Sequence, residues 1–230
     1  MDYNFALLID SENASASSFK QVMQQINMMG NILVKRIYGD FTLQSASSWK
    51  TIINDFALSP IQQFSYIKGK NVTDSKMIID AMDLLYGGHV NAFCIMSSDS
   101  DFTGIVKRLK EDGVFVVGAG KNTTPRSFVN SCDRFITLKD KENKMTSNDN
   151  QPVVSEEEII NTAKEVIRNS DEGEVLFSIL MATIYRSFPS FDSKDYGYKK
   201  AIDFFKKRKE FKITKSLKGK TGTEKISLEE

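Results

Sequence analysis

Short apolar runs and amphipathic stretches alternate through the first 138 residues. Strand-like runs occupy residues 5–9, 32–38, 63–67, 92–96, 114–117 and 134–138. Between them the spacing predicts helices over 17–29, 45–57, 73–86, 102–111 and 125–132. In the third of these, Met77, Ile78, Ala81, Leu84 and Leu85 recur at the interval of one helix face. Gly30 and Gly113 stand where helix C-caps are expected. Alternation this regular implies an α/β fold, a Rossmann-like doubly wound parallel sheet.

Periodicity stops over residues 139–152, which are charged, amide-rich and end in Pro152, and this segment reads as a flexible linker. A helix opens at Ser155, with Glu158 completing a capping box and Ile159, Ile160, Ala163, Val166 and Ile167 as its buried stripe. Further helices are expected at about 175–188 and 194–209. Alternating runs follow at 211–217 and 224–228, separated by the turn-rich 218–222. Three helices and a hairpin describe a small C-terminal winged helix-turn-helix domain. The expected organisation is a first domain over 1–138, the linker 139–152, and a second domain over 153–230.

Composition narrows the choices. Of 230 residues 40% are hydrophobic and 27% charged, and the formal net charge is +1, so partners must be read from local charge. Cys94 and Cys132 form no ligand pattern, and their apolar flanks suggest buried free thiols in a reducing compartment. Asp2 follows Met1, the first apolar run is five residues long, and no run approaches a membrane span. The expectation is a cytoplasmic protein with no membrane partner.

The most informative run is Ser97-Ser98-Asp99-Ser100-Asp101-Phe102, which closes the strand at 92–96. Two carboxylates at the end of a buried strand are costly without a cation or donors to compensate them. Asp10 closes the first strand in the same way, and Asp74 opens the helix after the third. In a parallel α/β sheet these positions meet at the carboxyl edge, where ligands bind. Each aspartate alone is as well explained as a helix N-cap or strand-end cap. Four from separate elements point to a hard-cation site for Mg²⁺ or Mn²⁺, with hydrolysis of a phosphate ester as its chemistry. Asp80 could reach the rim of that site, although a solvated face shared with Lys76 and Asp83 explains it equally well.

Other mechanisms fall away. His89 is the single histidine, so a paired-histidine ribonuclease mechanism is excluded. The run Gly118-Ala119-Gly120-Lys121-Asn122 lacks both the first glycine and the Ser/Thr of a phosphate-binding P-loop. Lys121 and Arg126 remain candidates for phosphate contacts, with plain surface solvation as the alternative. A receiver-like or phosphohydrolase-like phosphotransfer domain would use Asp10 as nucleophile, but Glu12 stands where the latter needs a second aspartate.

The runs Leu8-Ile-Asp-Ser-Glu-Asn13, Lys70-Asn-Val-Thr-Asp-Ser-Lys-Met-Ile-Ile-Asp80 and Ser97-Ser-Asp-Ser-Asp-Phe102 resemble, in order, those of the NYN domain, a branch of the PIN-like nucleases. The likeness spans about residues 1–138. It implies a PIN-like sheet and divalent-metal-dependent cleavage of RNA. Carried over by position, it makes Asp10, Asp74, Asp99 and Asp101 the catalytic and metal-binding acids, with Asn13 as polar support. Ser97 departs from the glycine common at its position, and Ser98 fills a small-residue position, so loop geometry is expected to change more than charge. An RNA-binding adaptor that keeps the acidic pocket without cutting is the alternative.

The segment from Phe188 to Lys200, with Phe191, Tyr196, Gly197 and the following Ile202, Phe204 and Phe205, resembles the OST-HTH or LOTUS domain over about residues 153–217. That resemblance implies a module for RNA, structured or guanine-rich in some members, or for a protein partner. A homodimer also stays open. Charge gives independent support: residues 186–220 hold twelve Lys/Arg against four acids, a net +8. Tyr198, Lys199, Lys200, Lys206 and Lys207 are the candidate RNA contacts, through phosphate pairing and base stacking. A solvated basic face, with Tyr198 in the core, is the competing reading.

Overall fold

Strands apolar along their whole length must be covered on both faces, and the first part of the chain meets that demand. The computed structural model describes residues 3–64, 72–138, 154–170, 172–216 and 223–229. Its elements begin with β1 (Tyr3–Asp10), α1 (Phe19–Asn27), β2 (Gly30–Gly39), α2 (Ser47–Asp55), β3 (Ser59–Gln62) and α3 (Val72–Tyr86). They continue with β4 (Ala92–Met96), α4 (Thr103–Glu111), β5 (Phe115–Lys121), α5 (Arg126–Ser131) and β6 (Arg134–Leu138). Six parallel strands lie in the order β3-β2-β1-β4-β5-β6.

Alternate residues divide between two cores. Phe5, Leu7 and Ile9 pack with Phe19, Val22 and Ile26 of α1 and with Trp49 of α2. Ala6, Leu8 and Tyr38 pack on the other face with Met77 and Ala81 of α3, Val106 and Leu109 of α4, and Phe128 of α5. The sheet is doubly wound, as the alternation implies. In β2, Ile32 pairs with Phe5 and Val34 with Ala6, so Leu33 is an extra, bulged residue. Strand order reverses between β1 and β4, and the crevice at their carboxyl ends is the place such sheets offer to a ligand.

Several sequence expectations need correction. The third strand is Ser59–Gln62, not 63–67; residues 63 and 64 lie beyond the strand and 65–67 fall outside the described residues. β3 is an edge strand with one neighbour, so it tolerates Pro60 and lacks the apolar run that marks an interior strand. Gly30 is not a helix cap but the first residue of β2. A Cβ there would lie 2.1 Å from the Tyr3 carbonyl oxygen, so close strand approach requires glycine. Gly113 does follow α4 with a left-handed φ of 75°. Cys94 and Cys132 are buried and free, and burial pushes the Cys132 thiol up to about 12.

The chain separates into two compact units, Met1–Lys144 and Met145–Glu230; the expected linker 139–152 lies outside the described residues. The second unit contains α6 (Glu156–Arg168), β7 (Glu174–Leu176), α7 (Phe177–Ser187), α8 (Ala201–Lys206), β8 (Phe211–Ser216) and β9 (Thr223–Leu228). The expected capping box is present: Ser155 Oγ accepts from the Glu158 amide, and Glu158 accepts from the Ser155 amide. The second helix starts two residues later than expected, because residues 174–176 pair antiparallel with β9. The third is broken into a 3₁₀ turn, Ser193–Tyr196, and α8, because Gly197 takes a left-handed φ of 85°. Antiparallel strands in the order β7-β9-β8 complete a small helical domain with a three-stranded sheet. Among the described residues no helix is long and apolar enough to cross a membrane.

Candidate metal centre and basic face

Asp10 ends β1 on the face of Ala6 and Leu8, which is the face α3 covers. It is fully buried, and four donors converge on it. Oδ1 accepts from the amides of Glu12 and Asn13, at 3.0 and 3.2 Å. Oδ2 accepts from Asn13 Nδ2 at 2.9 Å and from Ser97 Oγ at 2.8 Å. Ser97 Oγ in turn accepts from the Asp99 amide at 3.1 Å. Asp99 then caps the 3₁₀ turn Ser100–Phe102, its Oδ1 accepting from the Asp101 amide at 2.9 Å. A chain of hydrogen bonds thus runs from the end of β1 to the loop after β4.

Asp74 projects from the first turn of α3 into the same crevice. One oxygen from each of Asp74, Asp99 and Asp101 lies within 4.8 Å of the others, a group able to share one cation. Asp10 lies outside that group, its four lone-pair directions already engaged. Burial is the main reason the Asp74 carboxyl is pushed up to about 6; the charges of Asp10, Asp99, Asp101 and Glu12 add to it. Glu12 also accepts from Thr73 Oγ1 at 3.1 Å, tying the β1 loop to the start of α3. Three carboxylate oxygens gathered in this way could hold a hard divalent cation.

The remaining sequence candidates are distributed as follows. Asn13 braces Asp10 through both its amide and its side chain. Ser98 Oγ accepts from the Lys121 amide at 3.0 Å, so it holds the loop after β5 rather than the acids. Lys121 and Arg126 are exposed at that same carboxyl edge. Asp80 is not among the gathered acids, and its carboxylate is engaged by Arg36 and Tyr38 of β2. Ser97 is the residue sequence reasoning undervalued. Its signal was a polar side chain immediately after a wholly buried strand that pairs with β1.

In the second unit Lys199, Lys200, Lys206 and Lys207 are exposed around α8. Tyr198 is half-buried, its ring edge-on to Phe204, with Lys207 Nζ 5.8 Å from the ring centroid. Arg208, in the middle of the basic run, is withdrawn. Its guanidinium stacks 3.7 Å from the Phe204 ring centroid and bonds to the Phe204 carbonyl and to Glu156.

A parallel α/β sheet with acids gathered at its switch point defines a PIN-like domain. The chain belongs to the NYN-domain family, which it matches over residues 4–139, and an OST-HTH/LOTUS domain follows over 158–222. NYN domains are generally nucleases, and OST-HTH/LOTUS domains bind RNA. No curated protein matches the chain. Among solved structures, a Vibrio parahaemolyticus RIMD 2210633 protein of unknown function, VPA0982, is similar in fold, with a TM-score of 0.51 at 15% identity. That similarity covers 60% of this chain and 94% of the other.

Proposed function

We propose that this protein is a divalent-metal-dependent ribonuclease that hydrolyses RNA phosphodiester bonds, with the C-terminal module binding RNA. The observation that carries the reading is the convergence of Asp74, Asp99 and Asp101 at the β1/β4 switch point. These three would hold Mg²⁺ or Mn²⁺. When bound, such an ion supplies Lewis-acid stabilisation of the charge that develops on a phosphate. Asp10 acts through its hydrogen bonds, fixing Asn13 and, through Ser97, the backbone that aims Asp99. Without a cation Asp74 keeps its proton to about pH 6, so loading the site near that pH releases a proton. Lys121 and Arg126 would contact phosphates flanking the cleaved bond. Tyr198, Lys199, Lys200, Lys206 and Lys207 would contribute RNA affinity from the second unit.

The test is cleavage of matched RNA and DNA strands with Mg²⁺ or Mn²⁺. Asp99→Asn should lower the RNA rate about a hundredfold, roughly 3 kcal/mol of transition-state stabilisation, with the circular dichroism unchanged. Equal rates for wild type and variant under Mn²⁺ refute the proposal.

A further inference from the structure

Asp80 is a buried carboxylate outside the acidic group. It stands six residues beyond Asp74 on α3, only 8% exposed, beside Met77 and Ala81 on the side packed against the sheet. Two side chains of β2 meet it there. Arg36 Nη1 lies 2.7 Å from Oδ1, and the Tyr38 hydroxyl donates to Oδ2. Asp80 is buried while the Arg36 side chain is 30% exposed, and an ion pair with a buried member is seldom more stabilising than apolar residues of similar volume; its best-attested use is to fix a register. The rest of this face of α3 (Met77, Ile78, Ala81, Met82, Leu84, Leu85) is apolar and would tolerate a small slide or rotation. Asp80 would not, because a shifted helix would leave it buried without Arg36 or Tyr38.

The placement of the fork ties this lock to the crevice. Tyr38 is the residue directly beside Asp10 across the β1–β2 pairing. The strand carrying Asp10 and the helix carrying Asp74 are therefore referred to one point. Six residues of helix, about 9 Å along its axis, then carry the chain from Asp80 to Asp74, which joins Asp99 and Asp101. Burial, followed by the bond to Asp80, raises the Tyr38 hydroxyl, which remains a donor across the working pH range. Arg36 stays cationic throughout and compensates Asp80.

We infer that Arg36, Asp80 and Tyr38 form a positioning triad for the acidic group, holding α3 in the register that keeps Asp74 beside Asp99 and Asp101. The functional half of this inference rests on the proposed metal centre; the structural half does not. The test uses the full chain and two variants. Tyr38→Phe removes one hydroxyl and keeps the ring, and Asp80→Asn keeps the volume and drops the charge. Metal-free hydrogen exchange should accelerate about tenfold in residues 73–80 of α3 and stay unchanged in α1 and α2. Mn²⁺ affinity, read from the paramagnetic resonance of free Mn²⁺, should fall about tenfold, the usual scale for a group supporting a ligand.

A merely stabilising contact gives a different signature: exchange rises equally in all three helices, and the folded variants bind Mn²⁺ like wild type. Either result overturns the inference, as does unchanged exchange in α3. If wild type binds no Mn²⁺, the metal reading fails, and the exchange comparison alone decides the triad. Should Asp80→Asn not fold, Tyr38→Phe carries both measurements.

Discussion

The first unit draws three carboxylates within 4.8 Å of one another at a sheet's carboxyl edge, whereas the second leaves Lys206, Lys207 and Lys209 exposed and turns only Arg208 of that run inward, onto Glu156. Like charges that solvent could separate cost little, so the exposed lysines are compatible with any polyanion and with none. Like charges held together against repulsion and desolvation are costly. The raised Asp74 carboxyl is the physical record of that cost. Gathered charge therefore argues for a specific small ligand, and scattered charge for a screened, general attraction to a backbone.

The comparison is broken most decisively at Asp74. Asp74→Asn should abolish measurable Mn²⁺ binding by the full chain, a loss well beyond tenfold. The same change should stabilise the metal-free first unit near pH 7. The sign follows from Asp74 binding its proton more tightly folded, at about 6, than unfolded, at the ordinary aspartate value of 3.8. The contribution of Asp74 to metal-free stability is then greatest below about pH 4 and is lost as pH rises through 6. The asparagine variant should lack this pH-dependent loss. Trp49, the single tryptophan, is buried in the first unit, so its fluorescence reports that unit's unfolding selectively. Identical pH profiles for the two proteins in chelator would contradict the gathered-charge account.

In the second unit the effects should be smaller and divided between stability and affinity. Arg208→Ala removes a cation stacked on Phe204 and its bonds to the Phe204 carbonyl and Glu156, and should destabilise the unit by about 2 kcal/mol. Calorimetry should show that transition move while the Trp49 signal stays put. Lys206→Ala with Lys207→Ala should leave unfolding within about 0.5 kcal/mol. It should flatten the salt dependence of binding to single-stranded RNA by about 1.4 in log–log slope. An unchanged slope would place the RNA contacts elsewhere.

Legibility in the sequence followed the range of the interactions. Interior strands of the first sheet announce themselves as apolar runs, and Asp10 and Asp99 stand at their ends. The Ser155/Glu158 cap is local, and it was readable within four residues. What the sequence concealed needs a distant partner to make sense. β3 is an edge strand stabilised by β2 alone, and β7 exists because β9 pairs with it. Asp80 reads as a surface charge until Arg36 and Tyr38 are brought to it, 44 and 42 positions away in the chain. Ser97 reads as a loop residue until β4 is laid beside β1. Arg208 reads as one more basic side chain until α6 presents Glu156.

The bulge at Leu33 has a consequence for how this chain can change. Upstream of it Ile32 is level with Phe5; downstream Tyr38 is level with Asp10, one place further along than an uninterrupted ladder would give. Deleting Leu33 alone would close the bulge, because Ile32 and Val34 would then pair with Phe5 and Ala6 in an uninterrupted ladder that keeps Tyr38 level with Asp10. Because strand side chains alternate with a period of two, losing one residue from an uninterrupted strand turns every later side chain to the other face, so the bulge is the place in β2 where the loss of one residue is least disruptive. Relatives of this chain should thus tolerate substitutions at position 33, where the side chain is exposed, and should lose a residue there more readily than elsewhere in β2.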